Sequence, residues 1–307
     1  MKRIAYSIAI LAMTVGCTEK SAAPKSNPTL ADARRGFATK LGGQQPPAEA
    51  VPQPPPGVFR LIKYPSPVGD LSAYLTPDPG DGQKHPAIVW ITGGDCNSIG
   101  EMWEPAPREN DQTAAAYRVA GIVLMVPSLR GGNDNPGRRE GFLGEVDDVL
   151  AAADYLAAQP YVDPTRIYLG GHSTGGTLAM LVAEMSDRFR ATFAFGPVED
   201  VRSYGAQFTY HQPGNRMEPM LRSPGYWLDS VSTPLFVIDG TDGNIESLRA
   251  MQSKSTNPLV RFVAVPGFGH FDILAPANEA VAAKILADTG QSVGITLSEQ
   301  ELKGSGR

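Results

Sequence analysis

Cysteine is nearly absent from this 307-residue chain. Cys17 and Cys96 are the only two, which excludes a disulfide-stapled scaffold. Histidine is scarce too, with four residues, so a His-rich metal site has few donors to draw on. An excess of positive charge is missing: 27 Lys and Arg stand against 32 Asp and Glu, for a net charge of −5. That excludes a strongly basic nucleic-acid surface, and no nucleic-acid partner is expected. The N-terminal apolar run, Ile4 to Gly16, has 13 residues, short of the roughly 20 that a spanning helix needs. Glycine and proline are plentiful instead, at 33 and 27 residues, and they fall unevenly along the chain.

Lys2 and Arg3 precede the apolar run, in the order of charges and apolar residues that an export signal uses. The run ends in Thr14-Val15-Gly16-Cys17, which resembles the lipobox of bacterial lipoproteins. The resemblance implies that residues 1–16 are removed and that Cys17 becomes the lipidated first residue. It also implies export to the cell envelope, facing the periplasm or on the outer membrane, with the lipid as membrane anchor. Cys96 would then lack a disulfide partner, and losing Lys2 and Arg3 would move the net charge from −5 to −7. Residues 18–57 hold eight prolines and one aromatic, Phe37. Such a stretch buries too little apolar surface to offset its ordering entropy. Residues 17–57 are therefore expected to be a disordered, Pro-rich tether, with room for a short helix around Ala31–Leu41.

A regular pattern begins at Val58. Two antiparallel strands, Val58–Tyr64 and Asp70–Thr76, flank Pro65–Gly69. Short apolar runs at Ala87–Ile91, Ile122–Val126, Ile167–Leu169, Ala191–Phe195, Leu235–Ile238 and Val260–Val265 read as strands buried on both faces. Glu145–Gln159 shows helical spacing, with Val146, Val149, Leu150, Ala153 and Leu156 on one stripe. Alternating strands and helices predict an α/β domain over residues 58–307: a mostly parallel eight-stranded sheet with helices on both faces. A small cap is expected at 197–233 and a loose tail at 290–307.

Gly171-His172-Ser173-Thr174-Gly175 fits G-x-S-x-G, between an apolar strand and an apolar helix. That context is the one a nucleophile elbow requires, with small residues at Gly171 and Gly175 so that the turn can close. Ser173 is the candidate nucleophile and needs a base. His270, in Pro266-Gly-Phe-Gly-His270, follows the last strand and is the candidate. His172 is expected to point away from the hydroxyl. The histidine needs a carboxylate. Asp242 is favoured, on a loop beyond the Leu235–Ile238 strand, with Asp239 as its competitor and Asp272 third. The oxyanion donors are expected to be the Thr174 N–H and an N–H of Gly94 or Asp95. Cys96 reads as a passive lining residue.

These residues resemble the α/β-hydrolase superfamily and, more narrowly, the catalytic domain of the prolyl oligopeptidase family. Supporting stretches are Gly144–Val149, Asp154–Ile167, Arg222–Asp229 with Thr233-Pro234-Leu235, and Pro127–Gly132. The family commonly carries His-Gly-x-x-Asp at the acid; here Asp239-Gly240-Thr241-Asp242 is one residue short. The resemblance implies an α/β-hydrolase fold without the family's propeller, since only the tether precedes Val58. It implies a serine hydrolase acting through an acyl-enzyme on a small ester or peptide-like substrate, with no metal or organic cofactor. The alternative is an inactive hydrolase scaffold serving as an envelope binding module.

Overall fold

The computed structural model describes residues 28–104 and 106–304. The export signal and Cys17 lie outside the described residues. Eight strands form one sheet: β1 (Arg60–Ser66), β2 (Gly69–Leu75), β3 (His85–Ile91), β4 (Val123–Pro127), β5 (Val162–His172), β6 (Thr192–Phe195), β7 (Leu235–Asp242) and β8 (Val260–Gly269). Their order across the sheet is β1-β2-β4-β3-β5-β6-β7-β8. β2 runs antiparallel to both β1 and β4, and every pairing from β4 to β8 is parallel. The expected mostly parallel, eight-stranded sheet is thus present. β7 and β8 each run four residues further than the apolar runs alone suggested, because they continue to pair past Ile238, with Asp239 opposite Ala264 and Asp242 opposite Gly269.

The described helices are α1 (Leu30–Arg34), α2 (Ala115–Val119), α3 (Glu145–Ala157), α4 (Thr174–Met185), α5 (Met217–Met220), α6 (Ile245–Lys254), α7 (Leu274–Ala287) and α8 (Glu299–Leu302). The twofold period of the strands sorts their side chains onto two faces. In β3, Ala87, Val89 and Ile91 join the core beneath α3 and α4. Ile88 and Trp90 join the opposite core, beneath α2 and α7. The long apolar strands thus need helices on both sides.

Two expectations of disorder fail. From Pro28 onward the N-terminal segment lies against the α/β body rather than trailing from it. Leu30 is fully buried. The Arg34 guanidinium donates to the carbonyls of Phe142 (2.9 Å), Leu143 (3.1 Å) and Leu221 (2.6 Å). Further along, Leu41 bridges His211, Val51 is buried, and Tyr74 Oη donates to the Pro52 carbonyl at 2.8 Å. Few apolar residues are needed, because buried charge-assisted hydrogen bonds and carbonyl contacts supply the attachment. The tail behaves alike: Ile295 and Leu302 are buried, and Ser298 and Glu301 close a capping box on α8.

One buried carboxylate gives the fold a pH dependence. Glu184, in α4, is 2% exposed, and neither of its oxygens has a hydrogen-bond partner among the described residues. Burial pushes its pKa well above 4.5, and the nearby Arg34 charge opposes this only in part. The folded chain therefore favours the protonated acid. Its contribution to stability is complete below the unfolded pKa and is lost as pH rises from there toward the folded pKa. Glu184→Gln should be more stable than the parent by about 2 kcal/mol at pH 8, with the difference vanishing near pH 4. Urea melts at the two pH values measure this; an equal difference at both would refute it.

Candidate active site

Ser173 stands where β5 turns into α4, with φ 54° and ψ −115°. A non-glycine residue rarely adopts that conformation. The turn closes because Gly171 and Gly175 lack side chains: a Cβ on Gly171 would lie 2.4 Å from the Gly175 carbonyl oxygen, and one on Gly175 would lie 2.3 Å from that of Ile91. The Ser173 N–H donates to the Phe195 carbonyl at 2.7 Å, pinning the elbow to β6. Thr174 begins α4, so its N–H belongs to the first turn, whose donors have no intrahelical acceptor. Its hydroxyl donates to the Gly94 carbonyl at 2.9 Å, joining the elbow to the loop after β3.

His270 follows β8 and packs against His172, the residue before Ser173. The neighbouring His172 donates from Nε2 to the His270 carbonyl at 3.1 Å, and the two rings lie 4.5 Å apart. His172 Nδ1 has no hydrogen-bond partner among the described residues, and through Nε2 the ring braces the loop that carries His270. Desolvation, with a smaller push from His270, holds the His172 pKa down to about 3, so it stays neutral.

The carboxylate facing His270 is Asp239, not the favoured Asp242. Asp239 is fully buried, and its Oδ1 lies 3.9 Å from His270 Nδ1. Asp242 is exposed. The reason is the length of β7. Because the strand runs on through Asp242, position 239 sits inside the sheet's C-terminal edge, and the residue expected on a reaching loop is held in the ladder opposite Gly269. Asp239 accepts N–H groups from Gly240 at 2.9 Å and Asn244 at 2.5 Å, which fixes its plane.

The loop after β3 is braced from below. Arg139 grips Asp95 through two hydrogen bonds of 2.6 and 2.7 Å. Asn97 donates to the Arg130 carbonyl and to Glu145. Arg130 is itself paired with Asp148 and Glu140. These arginines, both in the segment after β4, thus pair with acids of the loop after β3, of their own segment and of α3. Cys96 is buried, and desolvation pushes its thiol up, away from the reactive thiolate. Among the described residues no group of three or more His, Cys, Asp or Glu side chains is placed to hold a metal ion.

Residues 109–286, more than half of the chain, match the sequence profile of the prolyl oligopeptidase family. The chain belongs to the prolyl oligopeptidase family. Dual function macrocyclase-peptidase POPB of Galerina marginata is 32% identical over 145 residues, which is 43% of this chain and 19% of that protein. A puromycin-hydrolyzing peptidase of Mycobacterium tuberculosis superposes with a TM-score of 0.62 at 20% identity, over 78% of this chain and 40% of that one. Acylaminoacyl peptidase of Pyrococcus horikoshii gives 0.61 at 16% identity, over 80% and 44%. At these identities the structural likeness is one of fold, the α/β-hydrolase fold. This chain spans less than half the length of each of these proteins.

Two contributors to this candidate site, Gly196 and Asn244, were not read from the sequence, and a third, Tyr204, belongs to the expected cap. Gly196 has φ +55°, and a Cβ there would lie 2.4 Å from His270 Cε1, so the imidazole sits in space that a side chain would fill. The Pro after Gly196 was the available signal of a turn. Asn244 links Asp239 to the Gly196 carbonyl through its own side-chain N–H at 2.9 Å. Tyr204, within the expected cap, hydrogen-bonds Thr177 Oγ1 at 2.8 Å and also reaches the Ser173 side chain.

Proposed function

We propose that this chain is a serine hydrolase that cleaves an ester or amide bond through an acyl-enzyme. The observation that carries the reading is the strained Ser173 at the head of α4, with the half-buried His270 imidazole and the buried Asp239 carboxylate supplied across β6 by the ends of β8 and β7. Family membership supports a serine-peptidase type of hydrolase. In this reading His270 takes the Ser173 hydroxyl proton as Oγ attacks the carbonyl carbon. The tetrahedral oxyanion receives the Thr174 N–H and an N–H from Gly94 or Asp95. His270 returns the proton to the departing alcohol or amine. Water then repeats the sequence on the acyl-enzyme and frees Ser173. Asp239 holds the imidazole tautomer and stabilises the imidazolium. Its 3.9 Å separation from Nδ1 is of the kind that tightens when substrate binds.

Small esters and peptide-like amides are the substrate classes of this reading. Export and a lipid on Cys17 belong to it as well, supported by the charged start, the apolar run and the lipobox-like Thr14–Cys17. Incubation with a fluorophosphonate probe should yield a single adduct, which peptide mapping assigns to Ser173. No adduct on folded protein, or an adduct on another residue, would overturn the reading.

A further inference from the structure

The N-terminal segment does more than rest on the fold. A cavity of about 590 Å³ opens between residues 46–52 and the loop after β3, within the size range of small-molecule sites. Its floor is Gly93, where a Cβ would stand 3.4 Å from Ser173 Cβ. Gly93 thus adjoins both the cavity and the elbow that carries the candidate nucleophile. One wall is Pro46, Pro47 and Ala50; the facing wall includes the buried Ile99 and Met102.

The proline wall is held at both ends. Gln45 accepts the Arg139 N–H at 2.8 Å and donates to the Arg139 carbonyl at 3.4 Å. Pro52 accepts the Tyr74 hydroxyl, and Val51 is buried beside it. Prolines between two such anchors have little backbone freedom left to lose. The same Arg139 grips Asp95, so the wall and the oxyanion loop share one anchor.

The cavity's charge is one-sided. Arg139 is the only cation lining it among the described residues, and Asp95 neutralises it. Glu49 and Glu101 also line it, both exposed, and neither makes an ion pair among the described residues. The net field at the mouth is negative.

We infer that residues 45–52 form a fixed wall of the substrate cleft, and that the cavity takes the bulky, apolar-bodied part of the substrate beside the scissile bond, favouring neutral or cationic groups over anionic ones. This rests on the serine-hydrolase reading. It gives a specificity role to a segment whose composition resembles a tether.

The full-length protein can be tested with p-nitrophenyl and naphthyl esters that carry the bulk on the acyl or the alcohol side. Ala50→Trp narrows the cavity from an exposed position. It should lower the ratio of kcat/KM for the bulky over the small ester by about tenfold in the series that fills the cavity. Glu49→Gln with Glu101→Gln should cut the preference for a trimethylammonium acyl group over its carboxylate counterpart by about fivefold at low ionic strength. Ratios unchanged in both series, or a charge preference unchanged in the double variant, would overturn the inference while fluorophosphonate labelling of Ser173 keeps the hydrolase reading intact. Parent protein with neither labelling nor turnover would overturn both.

Discussion

Asp239→Asn is expected to lower kcat by about 10⁴-fold, whereas Asp242→Asn should stay within about fivefold of the parent. The two carboxylates are three residues apart on one strand, but their surroundings differ completely. Asp239 is buried, accepts two backbone N–H groups, and turns Oδ1 toward His270 Nδ1. An amide in its place keeps the volume but can offer an N–H where the imidazole N–H needs an acceptor. The ring is then stabilised in the wrong tautomer, and the imidazolium that forms during attack loses its countercharge. Asp242 is exposed and opposite Gly269, so removing its charge changes only a screened, solvated field. Steady-state kinetics with an aryl ester on both variants, each checked for a parent-like melting curve, measure the contrast. A larger loss in Asp242→Asn would return the acid to the loop position.

The same pair shows what the sequence carried and what it did not. The central strands β3, β4 and β6 were legible because each is a short apolar run buried on both faces, whereas β8 at the sheet edge leaves residues exposed. The elbow was legible because Gly171 and Gly175 flank Ser173 between an apolar strand and an apolar helix. The register of the acid was not legible. It depends on how far β7 pairs with β8, across an irregularity between Gly240 and Asp242, and strand ends are set by the partner strand rather than by local composition. The N-terminal segment failed for a related reason. Its Pro content argued for a tether, while the contacts that fix it, Arg34 to Leu221 and Tyr74 to Pro52, join residues distant in the sequence. Local signals were nevertheless present. Thr29 with Asp32 and Ser298 with Glu301 each form a capping box, and such a box announces a helix start even in a segment of low hydrophobicity.

Ser173→Gly should separate activity from stability. Loss of the nucleophile removes acyl-enzyme chemistry, and turnover is expected to fall by at least about 10⁴-fold. The fold should nevertheless gain stability. Ser173 holds φ 54° and ψ −115°, and a side-chain-bearing residue in such a region costs about 1–3 kcal/mol. Glycine adopts positive φ freely, although its larger unfolded-state entropy returns about 0.5–1 kcal/mol of the gain. The elbow tolerates the change because its backbone is fixed elsewhere, by the Ser173 N–H on Phe195 and by the close approach of Gly171 and Gly175 to neighbouring carbonyls. Ser173→Ala is the control: it loses the same chemistry but retains the Cβ and hence the strain, so it should melt below the glycine variant. Denaturant melts of the three proteins therefore rank the terms. If glycine proved no more stable than alanine, the elbow would not be storing backbone strain, and projection of the hydroxyl would have to come from packing alone. The expected order instead places the strain on the one residue whose hydroxyl the reaction needs exposed, held there by a sheet and a helix that cannot relax around it.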